Sequence, residues 1–152
     1  KKLFDRGMIH QPNSVIVTLT NNGNTHSMTY KEFQIYNNRL ASALYCRYNI
    51  HIGEVISTFM WNNVRHMALY YTIPCIGSVL NPLNIRLHAT ELSYIISHSQ
   101  PKIIFIDENL LKNFEKILDV NPLSTVKAFI ICGDNQLKSK YRGSHPLLIN
   151  RS

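Results

Sequence analysis

Short apolar runs alternate along this chain with longer stretches that have helical hydrophobic periodicity. The runs KIIFI (102–106) and VKAFIIC (126–132) are nearly continuous in apolar residues, and neither shows the polar alternation of a half-exposed strand. Such strands are typical of parallel sheets that are covered on both faces. Strands that alternate with helices are joined by right-handed crossovers. The sequence therefore predicts an α/β fold in which helices cover a parallel sheet.

An antiparallel hairpin is predicted ahead of that sheet. The β-branched run Ser14–Thr20 is followed by Asn22-Gly23, a two-residue turn signal, and Thr25–Thr29 returns as the second strand. Thr29 and Glu32 then have the spacing of a capping box at the start of a helix.

The remaining elements follow from hydrophobic spacing and from turn residues. The first helix carries one apolar stripe and ends near Asn49; its stripe is Phe33, Tyr36, Leu40, Leu44 and Tyr48. Further helices are predicted over 64–76, 88–100 and 109–120, and further strands over 55–60 and 78–81. Asp107 is the predicted N-cap of the 109–120 helix. We expect residues 1–134 to form one incomplete α/β subdomain, and 135–152 to form a polar tail or the start of a linker.

The net charge of +7 results from a shortage of carboxylates, since 16 Lys and Arg face only 9 Asp and Glu in 152 residues. Only 16% of residues are charged, against about 25% in ordinary domains. A nucleic-acid-binding domain is therefore disfavoured. One basic cluster is interpreted as a solvated tail, with a phosphate-binding patch as the alternative; its members are Lys138, Lys140, Arg142 and His145.

Three widely separated cysteines, Cys46, Cys75 and Cys132, show neither a disulfide framework nor zinc-site spacing. This usage favours a reducing compartment, the cytoplasm or the mitochondrial matrix. The apolar segment 67–80 is 14 residues long and is broken by Pro74 and Gly77. It is too short to cross about 30 Å of hydrocarbon, so no membrane span is expected.

The motifs of several enzyme classes are missing. The six glycines are never closer than ten residues, which excludes a phosphate-binding glycine loop or a dinucleotide fingerprint. The sequence has no Gly-x-Ser-x-Gly elbow and no histidine spacing of a metal site. His66 and His98 are interpreted as helix-surface residues. No catalytic residue and no metal ligand is assigned.

Trp61 and Asn62 follow the 55–60 strand and are pocket or loop candidates. A structural role in the turn is favoured over a role in a pocket, because Asn is common in turns and Trp is common in cores. Tyr70, Tyr71 and Tyr94 are likewise interpreted as packing residues rather than as the wall of a ligand tunnel.

Three collinear segments resemble the adenylate-forming (AMP-binding) acyl-CoA synthetases, most closely the medium- and long-chain fatty-acid–CoA ligases. They read TYKEF…NRLASAL, IGEVISTFMWNN and HMALYYTIPCIGSVLNPLNIRLHATELSYIISHSQPKIIFID. The resemblance runs from about Asn13 to Asp107 and continues more weakly through 126–134. Glu54 stands where the family usually has Asp. Ala89 stands where a Pro often starts the helix, so His88 is predicted at the N-cap.

The resemblance implies that this chain is the N-terminal part of a larger ATP-dependent ligase. Such enzymes join a carboxylate to AMP, release pyrophosphate, and then transfer the acyl group to CoA. The implied partners are a fatty acid, ATP and CoA, with Mg²⁺, and a homo-oligomer is compatible with the resemblance. The family's phosphate-binding loop and the lysine of its mobile C-terminal domain are absent from these residues. We therefore expect the chain alone to be inactive and to bind none of these ligands.

Arg86 is the one substrate-binding candidate. It lies in the turn Asn84-Ile85-Arg86-Leu87 before a predicted helix, where a guanidinium and helix N–H groups both attract anions. In the family, the arginine of this turn can lie near the CoA nucleotide phosphates, so Arg86 is the candidate residue for a CoA phosphate. Asn84 of the same turn is a pocket or loop candidate. The alternative is that Arg86 holds the loop by bonding backbone carbonyls. At the level of the whole protein, the alternative function is a non-catalytic interaction or scaffold module that retains the fold.

Overall fold

The computed structural model describes residues 2–20 and 23–133. Its helices and strands follow one another as α1 (Lys2–His10), β1 (Val15–Leu19), β2 (Thr25–Thr29), α2 (Tyr30–Cys46), β3 (Val55–Phe59), α3 (Val64–Cys75), β4 (Val79–Pro82), α4 (Ala89–Ser99), β5 (Ile103–Asp107), α5 (Leu111–Val120) and β6 (Ala128–Cys132). A 3₁₀ turn, Glu108–Leu110, precedes α5. The basic cluster and the tail expected over 135–152 lie outside the described residues.

The chain forms two compact units. Unit 1 contains residues up to 54 together with 61–80, and unit 2 contains 55–60 and the described chain from residue 81 onward. No helix in the described parts of the chain combines the length and the hydrophobicity that a membrane crossing requires.

Unit 1 begins with a helix that the sequence analysis missed, α1, which ends at His10 just before Pro12. The hairpin follows as predicted, with β1 and β2 antiparallel and Ile16 opposite Met28. Ile16 and Met28 pack against the buried side chains of Phe33, Val64 and Ala68.

The predicted capping box starts α2. The Oγ1 of Thr29 accepts from the Glu32 backbone N–H at 3.2 Å, and Glu32 Oε2 accepts from the Thr29 N–H at 2.8 Å. The Thr29 hydroxyl donates to the same carboxylate oxygen at 2.8 Å. These bonds stabilise the ionised carboxylate, and the pKa of Glu32 is lowered, first by the Thr29 amide and then by its hydroxyl.

One position of the predicted α2 stripe is wrong. Tyr36 is exposed and its neighbour Asn37 is buried instead. Asn37 Nδ2 donates to the Phe33 carbonyl at 2.6 Å, and Asn37 Oδ1 accepts from the Thr72 hydroxyl at 2.6 Å. Both polar atoms of the amide therefore have partners, which is what makes its burial tolerable.

The predicted parallel sheet is present, with the strand order β4-β3-β5-β6. β5 runs parallel to both β3 and β6, with Ile104 between Ser57 and Phe129. All five residues of β5 are buried, as its continuous apolar run predicts. The unit 2 core packs around Phe59, Leu92 and Phe114. The predicted α/β fold class is confirmed.

Two expectations at the far side of this sheet are wrong. β6 is half-buried rather than buried, because among the described residues it is the last strand in the order and has a partner on one edge only. Asp107 makes no side-chain capping bond. It is the last residue of β5, paired with Cys132, and the chain enters α5 through the 3₁₀ turn instead.

Candidate functional site

The candidate site in unit 2 is the turn that links β4 to α4. The Leu83 N–H donates to the Thr58 carbonyl at 2.8 Å, which anchors the start of the turn to β3. Asn84 Oδ1 then accepts from the Arg86 N–H at 3.1 Å, and the Asn84 carbonyl accepts from the Leu87 N–H at 3.1 Å. An asparagine that bonds the backbone two residues ahead is a recurrent turn device. Asn84 is thus the residue that shapes the turn.

Alternation along this turn decides where Arg86 lies. Ile85 and Leu87 pack against the unit 2 core, and Arg86 between them is exposed. Of the polar groups of Arg86, only the backbone N–H makes a hydrogen bond to another described residue. The guanidinium bonds none of the described carbonyls, so the geometry leaves its five donors to solvent or to a ligand.

His88 caps α4, as predicted. Its ring Nδ1 accepts from the Thr90 N–H at 3.5 Å, and Glu91 Oε2 accepts from the His88 N–H at 3.0 Å. Arg86 therefore lies two residues before His88, the N-cap of α4. The backbone N–H groups and the dipole at this helix N-terminus favour a bound negative charge.

A cavity of about 260 Å³ lies beside the turn, with Phe59, Leu87 and Leu92 among its apolar lining. His88 and Lys116 supply polar groups at the same cavity. Polar and apolar side chains thus line one cavity next to the turn, and Arg86 is not among its lining residues.

The other two pocket candidates belong to unit 1. Trp61 is 47% exposed, so the expectation that it sits in a core is wrong. Asn62 lines a cavity of about 340 Å³ together with His66 and Tyr70. Neighbouring Asn63 is the residue that caps α3, because its Oδ1 accepts from the His66 N–H at 3.0 Å.

Histidine burial is a second correction in unit 1. His66 is only 6% exposed, not a surface residue, because its ring turns back towards the loop before α3, with Nδ1 3.1 Å from the Trp61 carbonyl. His98 is exposed, as expected, and stacks on Tyr94.

The packing role expected of three tyrosines holds for one of them. Tyr71 packs edge-on against Phe33, with ring centroids 6.0 Å apart. Tyr70 and Tyr94 are exposed, Tyr94 by 72%. Tyr94 lies on the side of α4 opposite to the buried Leu92 and Ile96, so its exposure agrees with helical spacing.

Metal-binding chemistry has no support in the part of the chain that the structure describes. Residues 2–20 and 23–133 contain no group of three His, Cys, Asp or Glu side chains placed to hold a metal ion.

A family model described as AMP-binding enzyme matches residues 4–145 of this sequence. The chain belongs to the AMP-binding enzyme family. The resemblance to adenylate-forming acyl-CoA synthetases is thereby confirmed.

Several curated relatives carry ligase names, among them two fatty-acid–CoA ligases. The chain is 32% identical over 116 residues to a long-chain-fatty-acid–CoA ligase of Thermus thermophilus, covering 76% of this chain and 21% of the relative. It is 29% identical over 120 residues to a medium-chain-fatty-acid–CoA ligase of Ectopseudomonas oleovorans, covering 79% of this chain and 21% of the relative. The chain thus spans about a fifth of the length of these proteins.

Solved structures share the fold. Coronafacic acid ligase from Pectobacterium brasiliense aligns with a TM-score of 0.76 at 21% identity, covering 91% of this chain and 26% of that one. A fatty acyl CoA synthetase of Mycobacterium tuberculosis aligns with a TM-score of 0.71 at 24% identity, covering 86% of this chain and 26% of that one.

Proposed function

We propose that these residues are the N-terminal portion of an ATP-dependent fatty-acyl-CoA ligase, with 1–134 as an incomplete subdomain and 135–152 as a tail or linker. The supporting observation is the family match over residues 4–145. The names of two of the curated relatives, a long-chain- and a medium-chain-fatty-acid–CoA ligase, support a medium- or long-chain fatty acid as the substrate. The protein acts in a reducing compartment, the cytoplasm or the mitochondrial matrix.

The reaction in this proposal has two steps. A carboxylate is a poor electrophile, so the enzyme first joins it to AMP and releases pyrophosphate. The CoA thiol then displaces AMP. Stabilising phosphoryl charge is the main demand of the first step. The described residues supply no grouped carboxylates for Mg²⁺, so we assign the metal and the adenylating groups to the remainder of the protein.

Pyrophosphate release from ATP and a fatty acid tests the proposal directly. The protein of full family length should release pyrophosphate, and the 152-residue chain by itself should not. Release by the 152-residue chain would refute its assignment as an inactive portion. No release by the full-length protein, with any fatty acid of medium or long chain, would favour the scaffold module instead.

Within this function, Arg86 is assigned to a CoA phosphate. Its exposed guanidinium beside the α4 N-terminus supports the assignment. A hydrogen bond to a charged group contributes roughly 1.5–3 kcal/mol. Since roughly 1.4 kcal/mol corresponds to a tenfold change, Arg86→Ala should raise the KM for CoA by at least about tenfold in the full-length protein.

The first half-reaction provides the internal control, because pyrophosphate release without CoA should be unchanged in Arg86→Ala. Lys112→Ala, which removes another exposed cation of unit 2, is the matched control and should leave the KM for CoA unaltered. An unchanged KM in Arg86→Ala would remove the assignment and leave the ligase proposal standing.

A further inference from the structure

β1 has one open edge. Within the described residues, its sheet contains only β1 and β2. Two hydrogen bonds frame this ladder: the Tyr30 N–H donates to the Ser14 carbonyl, and the Thr20 N–H donates to the Asn24 carbonyl, both at 2.8 Å. In an antiparallel pair, directly opposed residues alternate between bonded and non-bonded pairs. The backbone groups of Ile16 and Thr18 therefore point to β2.

By the same alternation, the N–H and C=O groups of Val15, Val17 and Leu19 point away from β2, to the outer edge. Their side chains are 58%, 61% and 68% exposed. An apolar strand with unpaired backbone groups is a template for another strand. We call the backbone edge and side chains of these three residues the β1 edge.

A groove runs alongside the β1 edge. The 340 Å³ cavity of unit 1 is lined by three consecutive residues of β1, Ile16, Val17 and Thr18, and by residues of α3 that include Met67 and Tyr70. No residue of β2 lines it, so the groove follows the outer side of β1. His66 is its only ionisable lining residue apart from Tyr70. The lining combines apolar side chains with the uncharged polar groups of Thr18, Asn62 and Asn63, so the groove fits an extended segment of low charge.

β2 provides the contrast. Its outward residues are Thr25, Ser27 and Thr29, and the Thr29 N–H is already bonded to the Glu32 carboxylate. That edge is polar and partly closed, so the hairpin offers a single edge suited to strand addition.

We propose that the β1 edge pairs with a β-strand from the part of the same polypeptide that lies outside these 152 residues. The chain spans 21% of the curated relatives' length, so a covalently linked strand is available at high effective concentration. This inference rests on the proposal that the protein has the length of its family, and it does not depend on which reaction the protein catalyses.

Residue-resolved hydrogen exchange on the protein of full family length tests the inference. The amides of Val15, Val17 and Leu19 should exchange at least about a hundredfold more slowly than the outward amides of Thr25 and Ser27. The inward amides of Ile16 and Thr18 should be slow in any case and report that the hairpin is folded. Equal, fast exchange at the two outer edges would overturn the inference.

Dilution identifies the occupant. Protection that persists over a hundredfold dilution supports a strand of the same polypeptide, whereas protection lost on dilution assigns the β1 edge to a second copy and overturns the inference. Val17→Pro, which removes an outward N–H and leaves the β2 ladder intact, should abolish protection at Val15 and Leu19. Ser27→Pro on the polar edge is the matched control and should leave that protection in place. Neither amide exchange nor its dependence on dilution requires ligase activity. The strand-pairing inference can therefore be refuted without refuting the ligase proposal, and the reverse also holds.

Discussion

The two strands β5 and β1 have similar apolar composition and opposite surroundings. β5 (IIFID) has a parallel partner on each edge, and all of its residues are buried. β1 (VIVTL) has one partner, and every second residue is exposed. Burial therefore follows what the fold places on the edges and faces of each strand, and not the hydrophobicity of the strand.

The two units also differ in what fills their interiors. Unit 2 packs aromatic and aliphatic side chains, with the Phe114 ring 5.6 Å from that of Phe59 and 5.7 Å from that of Phe129. Unit 1 joins α2 to α3 through a buried polar pair, Asn37 and Thr72, beside its apolar cluster. Substitutions should therefore destabilise unit 2 through lost packing and unit 1 through a lost buried hydrogen bond.

The largest effect is expected in unit 2. Phe114 is fully buried, so Phe114→Ala should lower the free energy of unfolding by about 3–5 kcal/mol through lost burial and the cavity left behind. The measurement is native-state hydrogen exchange at the β5 amides of the full-length protein. Phe114→Leu, which keeps most of the volume, should cost clearly less. Equal costs for the two variants would contradict a tightly packed interior.

A smaller effect is expected in unit 1. Thr72→Val removes the hydroxyl that bonds Asn37 and leaves a buried amide oxygen without its donor. We expect a loss of about 1–3 kcal/mol, measured at α2 and α3 amides by hydrogen exchange. Thr72→Ser keeps the hydroxyl and should retain most of the stability. If Val and Ser cost the same, the hydrogen bond contributes nothing and the comparison of the two interiors is wrong.

The smallest effect belongs to the exposed start of α2. Thr29→Ala should cost about 1 kcal/mol by removing the N-cap, and Thr29→Ser should be close to wild type. Protection of the first α2 amides measures both.

Glu32 gives the same cap a pH dependence. Its pKa is lowered in the fold below the ordinary 4.5, so the ionised form is the one that stabilises. The contribution is present above the ordinary pKa and is lost as pH falls through the lowered value. Glu32→Gln should therefore weaken α2 at neutral pH and approach wild type in acid. A difference that persists at the acidic end would exclude the carboxylate as its source.

Local sequence signals predicted much of this molecule. The Thr29–Glu32 box, the His88 cap and the apolar run of β5 each specify a nearby hydrogen bond or a face, and each was found as predicted. The segment 84–87 was likewise found as a turn before α4, with Arg86 in it.

The errors share a cause. The burial of Asn37, the exposure of Trp61 and the half-burial of β6 depend on which distant segment lies beside them. Asp107 failed as a cap because pairing with Cys132 extended its strand. Composition and residue spacing do not identify such distant contact partners.

The sequence by itself determined the order of helices and strands from β1 onward, the Thr29 and His88 caps and the family, because these follow from contacts within a few residues and from a long collinear pattern. The tertiary structure alone decided the division into two units, the buried polar pair and the open β1 edge. The physical reason is that burial and strand pairing are properties of two surfaces that meet, and one segment of sequence specifies only its own side.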